Sequence, residues 1–393
     1  MTENPYVGGS IPLLSTILLF LFFYTNVQSQ TYYIYVAAES DDTVSLIKFT
    51  DNKAEEIERI NVGFLPTEIE GPHGITVDPN GKYWYLSLAH GNPYGKLIKY
   101  STKDNKPVGQ TTLGLFPASM QISKITGLLY CVNFNLHGEM KPSSVSIVDP
   151  ETMTEIKRIT TGTMPHGSRI SADGKKQYSV SMMSSELYEI DAISLNLSRK
   201  LNLEHMMNME GSMNKKMKMG KSMDKKMNIK ESKAQKMKMD MKLMNHSKVK
   251  PTWVIPHPSK NIAYVAGNGS DEIIEVDLVN WKITNRMKTG KGPYNVEVSP
   301  NGKFLIATLK SEGSTTIWDL ENDNNLKKIK NSTSISHGIA ISSDSKYAFV
   351  SVEGIGGEPG VVDVISLESL EKISSVNIGK QAGGIAFWKM QKN

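Results

Sequence analysis

The chain has 393 residues, 39% hydrophobic and 22% charged, enough for one large β domain or two smaller ones. A single cysteine, Cys131, excludes an intrachain disulfide framework, and its apolar setting Leu128-Leu129-Tyr130-Cys131-Val132 reads as a buried strand rather than a reactive thiol. The formal charge of +5 is local: residues 205–248 hold twelve Lys against four Asp or Glu, and the remainder is acidic, which excludes a general nucleic-acid-binding surface.

In chain order, residues 11–24 form an uncharged apolar run followed by Val27-Gln28-Ser29, a small-residue pattern suited to cleavage before Gln30. As a helix that run would rise about 21 Å, short of the hydrocarbon core, so residues 1–29 are expected to be a signal peptide. Residues 2–10 lack Lys and Arg, which keeps an uncleaved anchor open. The expected location is periplasmic or secreted, or membrane-anchored if the segment is retained.

From Tyr32 onward one unit recurs: a Pro- or small-residue turn, a short strand, an Asn-Gly-Lys-like turn, then three more strands. Gly71-Pro72-His73-Gly74-Ile75-Thr76-Val77-Asp78-Pro79-Asn80-Gly81-Lys82 parallels Gly292-Pro293-Tyr294-Asn295-Val296-Glu297-Val298-Ser299-Pro300-Asn301-Gly302-Lys303. Further copies begin at Met164-Pro165-His166-Gly167 and Ser336-His337-Gly338, and weaker ones at Phe116-Pro117-Ala118, Pro251-Thr252-Trp253 and Gln381-Ala382-Gly383. The chain opens on three strands, Tyr32 to about Val62, and ends on a lone strand, Gly384 to Trp388, which can complete the first blade and leave no open edge. The predicted fold is an all-β, seven-bladed β-propeller over residues 30–204 and 249–393, interrupted by a low-complexity insertion at 205–248.

The run Tyr130-Cys131-Val132-Asn133, then Ser144-Val145-Ser146-Ile147-Val148-Asp149, then Ile159-Thr160-Thr161-Gly162 resembles the YVTN family of propeller repeats. The resemblance spans nearly all of residues 31–393 outside the insertion and implies fold rather than function. Lactonases and virginiamycin B lyases use comparable blades, and Pro72-His73-Gly74-Ile75 with Trp84 looks like a lyase repeat.

Aligned repeats place His73, Ala118, His166, Thr252, Tyr294, His337 and Gly383 around the mouth of the central channel. Three of the chain's eight histidines fall at this one position. His90, at the end of the second strand in the blade of His73, should neighbour it. Met182 and Met183 hold the matching place in the blade of His166, and His137 lies in a loop on the same face. His257 falls at the opposite end of its strand. Convergent imidazoles suit a borderline or soft ion such as copper or zinc. The pattern is similar to the copper-binding propeller of nitrous oxide reductase, but with fewer histidines, no His-His pair and no cupredoxin domain. Pro-His-Gly also serves as a plain turn whose imidazole bonds a nearby carbonyl.

The insertion carries twelve of the 21 methionines: Met206, Met207, Met209, Met213, Met217, Met219, Met223, Met227, Met237, Met239, Met241 and Met244, flanked by His205 and His246. It replaces a loop on the histidine face, and soft thioethers select Cu(I). A disordered Met/Lys expansion, a basic helix lying on a membrane, and an oxidant sink compete with that reading.

No nucleophile-elbow or His-Glu-x-x-His motif occurs. The leading expectation is an exported protein that captures, buffers or delivers copper through His73, His90, His166 and His337, with the methionine tract as collector. A scaffold binding a protein or glycan on the same face is the second. A lyase or hydrolase using these histidines with Glu353, read otherwise as an exposed loop carboxylate, is the third.

Overall fold

The computed structural model describes residues 1, 30–65, 67–91, 94–204, 247–322 and 326–392. Seven four-stranded antiparallel sheets succeed one another, six built from consecutive strands and one from both ends of the chain. In that seventh sheet the last strand, Ala382–Lys392, pairs with the first, Gln30–Ala38, from Gln30 opposite Lys392 to Ala38 opposite Ala382. The ring is thereby closed without an unpaired edge at the join, as the repeat count predicts.

Hairpin turns explain the repeat. In Asp78-Pro79-Asn80-Gly81, Gly81 donates to the Asp78 carbonyl at 2.9 Å, and the Asp78 carboxylate accepts from the Lys82 and Tyr83 amides at 2.7 and 3.0 Å. Asp thus satisfies amides that the tight turn would otherwise orphan. The middle strands are buried on both faces, as at Ile34 and Tyr35, because each sheet is sandwiched between two others, while the outer strands, such as Asn196–Asn202, are mostly exposed. Seven buried clusters result, one at each blade interface. Cys131 lies fully buried in the strand Leu129–Asn133, and burial raises its thiol pKa, as expected of a packing residue.

The inner strands are Pro72–Val77, Pro117–Ile122, Pro165–Ile170, Pro251–Pro256, Pro293–Val298, Ser336–Ile341 and the closing Ala382–Lys392. Five begin with Pro, which is tolerated at a first strand position because no ladder amide is lost there. Pairing with the second strand slips near the start of each inner strand, for example between Pro72 and Ile75. The slip frees an amide at the third residue, and a second-strand hydroxyl accepts it: Ser87 from Gly74 (2.8 Å), Thr308 from Asn295 (3.0 Å) and Ser351 from Gly338 (2.9 Å). Crowding at the axis explains the Gly of Pro-His-Gly. A Cβ on Gly74 would stand 1.8 Å from the Ala118 carbonyl oxygen of the next blade.

Candidate ligand site at the channel mouth

The second residue of each inner strand is, in order, His73, Ala118, His166, Thr252, Tyr294, His337 and Gly383, the predicted ring. His73 lies with its ring centroid 6.4 Å from His166 and 6.1 Å from His337, and Tyr294 packs between the latter two, edge-on to His166 at 5.1 Å and tilted against His337 at 4.6 Å. The structure therefore brings His73, His166 and His337 together.

Each imidazole is held differently. Glu39 lies in the 3-10 turn Glu39–Asp41 that follows the first strand. Its carboxylate accepts from His73 Nδ1 and His90 Nε2, both at 2.8 Å. Burial alone would raise the Glu39 pKa, but the two imidazoles outweigh it and hold the group ionised, well below the usual carboxylate range. An ionised carboxylate can only accept, so His73 carries its proton on Nδ1 and, when neutral, turns its Nε2 lone pair elsewhere. The same hydrogen bond raises the pKa of His90. His166 donates from Nδ1 to the Thr252 carbonyl at 2.8 Å, and its Nε2 accepts from the Tyr294 hydroxyl at 2.8 Å. Burial first, and then the neighbouring His73, push its pKa down to about 3, so it is neutral. His337 is likewise neutral, with a pKa well below the usual value through burial and the nearby Lys310.

A second ring stands above the first, formed by the residue following each second strand: Glu39, Ala89, Phe134, Met182, Asn268, Lys310 and Glu353. Six of these donate their amide to the residue just before the inner strand, or, for Glu353, to the Ile335 carbonyl at the same place. The ring divides into a charged arc, Lys310, Glu353 and Glu39, and an apolar arc, Ala89, Phe134 and Met182. Lys310 bonds Glu353 at 2.7 Å and lies 4.3 Å from the Tyr294 ring centre. Burial would lower the Lys310 pKa, yet Tyr294 and Glu353 raise it. Glu353 is thus a mostly buried, paired carboxylate with 13% of its side chain exposed, not the exposed loop group expected from sequence, and it stands 3.6 Å from His337 Nε2.

His90 lies two residues beyond the strand Tyr83–Leu88 and meets His73 through Glu39. Its approach to the inner strand demands Gly71, whose φ is +65° and whose Cβ would come within 2.7 Å of the imidazole. The exposed His137 sits 6.1 Å from His90, ring to ring. Met182 packs, half-buried, against the apolar cluster of Phe116 and Phe134, while Met183, also half-buried, donates its amide to Thr163. His257 caps a far-end turn, accepting the Ser259 and Lys260 amides on Nδ1 at 3.1 and 3.0 Å. The predicted ligands from His205 to His246, with the methionines between them, lie outside the described residues. Both ends of that tract meet at the rim: Glu204 accepts from Ser185 and from the Lys248 amide at 2.7 and 2.9 Å, and Ser247 donates to the Met182 carbonyl at 2.8 Å.

Among the described residues, no group of three His, Cys, Asp or Glu side chains is already arranged to hold a metal ion. Two imidazoles sharing one ion at about 2.0 Å per bond would nonetheless have centroids about 5–6.5 Å apart, the spacing His73 keeps from His166 and His337. The donor set fits a borderline or soft ion once the Tyr294 hydroxyl leaves His166. Sequence reasoning missed Glu39, Tyr294 as a partner of His166, and Lys310. Aligning the residue after each second strand of the intact copies would have exposed the last.

Residues 133–386 match the family described as YNCE-like β-propeller. No curated protein matches. Among solved structures, a functionally unknown protein from Desulfotomaculum acetoxidans superposes with a TM-score of 0.63 at 13% identity, covering 91% of this chain and 98% of that one. Hydrazine synthase of Kuenenia stuttgartiensis superposes at 0.55 with 17% identity over 79% of this chain and 80% of its own. At these identities the likeness concerns the fold.

Proposed function

This chain belongs to the YNCE-like β-propeller family, and from that premise we propose that it is an exported protein that captures and passes on a soft or borderline metal ion, copper first, at the channel mouth. One observation carries the reading: His73 and His166 both have Nδ1 tied back, to the Glu39 carboxylate and the Thr252 carbonyl. Such outer partners fix the tautomer that leaves Nε2 for an ion and raise its basicity. His337 is the third donor, its proton passing from Nε2 to Nδ1 as the ion arrives. His90 shares Glu39 and tunes its charge, and the half-buried Met182 and Met183 stand by as thioethers at the rim. The methionine tract, anchored at that rim by Glu204 and Ser247, is the collector, and Cu(I) is the ion its thioethers select. Its twelve Lys oppose an arriving cation and suit contact with an anionic membrane surface instead.

The test is metal content and Cu(I) titration of the protein from Gln30, of a form lacking 205–246, and of H73A/H166A. Copper retained without the tract and lost in the double variant supports the reading. Equal copper in the double variant and the parent removes the mouth from it, and copper in none of the three ends it. A second reading, a protein- or glycan-binding face, is favoured by Phe64, Leu65, Ile69, Tyr94, Leu136 and Met140, all exposed on mouth-side loops. Loss of partner capture on replacing Phe64 and Leu65 by Ser, with copper unchanged, would favour it.

A further inference from the structure

Below the histidine ring the axis holds a small, partly open chamber of about 40 Å³, lined by His73, His166, His337, Ser119, Asn295 and Arg169 among others. Two of its lining groups lack a partner: Asn295 Oδ1 and His337 Nδ1, on residues 3% and 6% exposed. A buried polar atom left unpaired costs about 1–3 kcal/mol, and two on residues that line one small chamber call for a common explanation. The chemistry of the lining selects the guest. Glu353 beside His337 Nε2 favours the proton there, which makes Nδ1 an acceptor, like Asn295 Oδ1. Ser119 already donates to the His166 carbonyl, and Arg169 is committed to Glu297 and, at 2.9 Å, to the Ser168 carbonyl. The guest must therefore donate. Lys310 and Arg169 are each already paired, with Glu353 and Glu297, so no unbalanced charge beside the lining calls for an ion, leaving a neutral donor.

We propose that this chamber is a binding site for a cluster of about three waters, the number its volume admits, bridging Asn295 Oδ1 and His337 Nδ1. The cluster backs the histidine mouth with solvent. Arg169 and Ile75 line both this chamber and the wide funnel of about 500 Å³ at the opposite face, so the two spaces meet at the Arg169–Glu297 pair. A ligand seating on the histidines from above displaces water into a chamber that abuts that funnel. The site does not depend on metal binding at the mouth.

A high-resolution crystal structure of the protein from Gln30 tests this, with crystals also pressurised under xenon and soaked in rubidium chloride. Two or more waters bonding Asn295 and His337, with no xenon or rubidium in the chamber, is the expected result. Xenon there means a dry apolar cavity and overturns the proposal, as does an anomalous rubidium signal, which means a cation site. In Asn295→Leu the waters bound to that residue should vanish while the Glu39 bonds to His73 and His90 persist. If that variant does not fold, the parent crystals decide alone.

Discussion

The two ends of the channel are built from the same seven strands yet have opposite chemistry. At the mouth, the second positions of the inner strands carry His73, His166, Tyr294 and His337, the first three hydrogen-bonded through their side chains to another blade. At the far end they run out through Val77, Ile122, Ile170, Val298 and Ile341, apolar side chains around a funnel that Thr76, Gln121 and the Arg169–Glu297 pair also line. Arg169 also stacks on Trp253, 4.6 Å from its ring, and Trp253 donates to Glu297 at 3.3 Å. Burial raises the Glu297 pKa against the pull of Arg169. The repeat thus conserves backbone geometry at both ends while leaving side-chain chemistry free. The far end uses that freedom for packing around one ion pair, and the mouth for a cluster of titratable groups.

The largest expected effect breaks the far end. Arg169→Ala leaves Glu297 buried without its counter-ion and should cost about 3–5 kcal/mol in denaturant unfolding, whereas R169L/E297L should recover much of that loss. A single variant as stable as the parent would show that the pair is solvated and that the two ends differ less than their geometry implies.

At the mouth, Glu39→Gln should lower metal affinity about 10–100-fold with little loss of fold, the size usual for removing the partner that orients a ligand histidine. In the same variant the His90 pKa, followed by NMR, should fall back toward its usual value, since the hydrogen bond to Glu39 is the main cause of its rise. An unchanged His90 titration would detach Glu39 from the cluster.

The pH dependence of stability sharpens the contrast further. His166 and His337 have folded pKa values below the unfolded value near 6.5, so the unfolded chain binds more protons as pH falls below it, and stability drops toward about pH 3. Glu39, also depressed, adds to this loss below about pH 4.5. His90 is raised, so its contribution is full below about 6.5 and is lost as pH rises through its folded value. Thermal unfolding across pH should therefore peak near about pH 6.5. In H166F/H337F the acid limb should flatten, and an unaltered acid limb would place the titrating groups elsewhere. The smallest effect expected is from His257→Ala, about 1 kcal/mol, from losing a turn cap remote from both ends of the channel.

The seven-bladed ring, its closure by the last strand, the circle of second-position residues and the burial of Cys131 were legible in sequence. All follow from local periodicity and turn chemistry, which a repeat copies. Glu39 was not legible, because it belongs to the blade assembled from both chain ends, where no intact copy of the unit exists for comparison. Glu353 was misread as exposed for a related reason: burial at the mouth is set by Lys310 and His337 of its own and the adjoining blade, not by neighbours in sequence.

What the sequence by itself determined is the scaffold and the side of it that carries chemistry, since strand period, Gly-containing turns and repeat count are local properties summed along the chain. Only the tertiary structure decided which groups meet. That Glu39 joins His73 to His90, that Tyr294 caps His166 across two blades, and that Asn295 and His337 line one chamber depend on closing the ring, which sets side chains 34 to 128 residues apart within hydrogen-bonding distance.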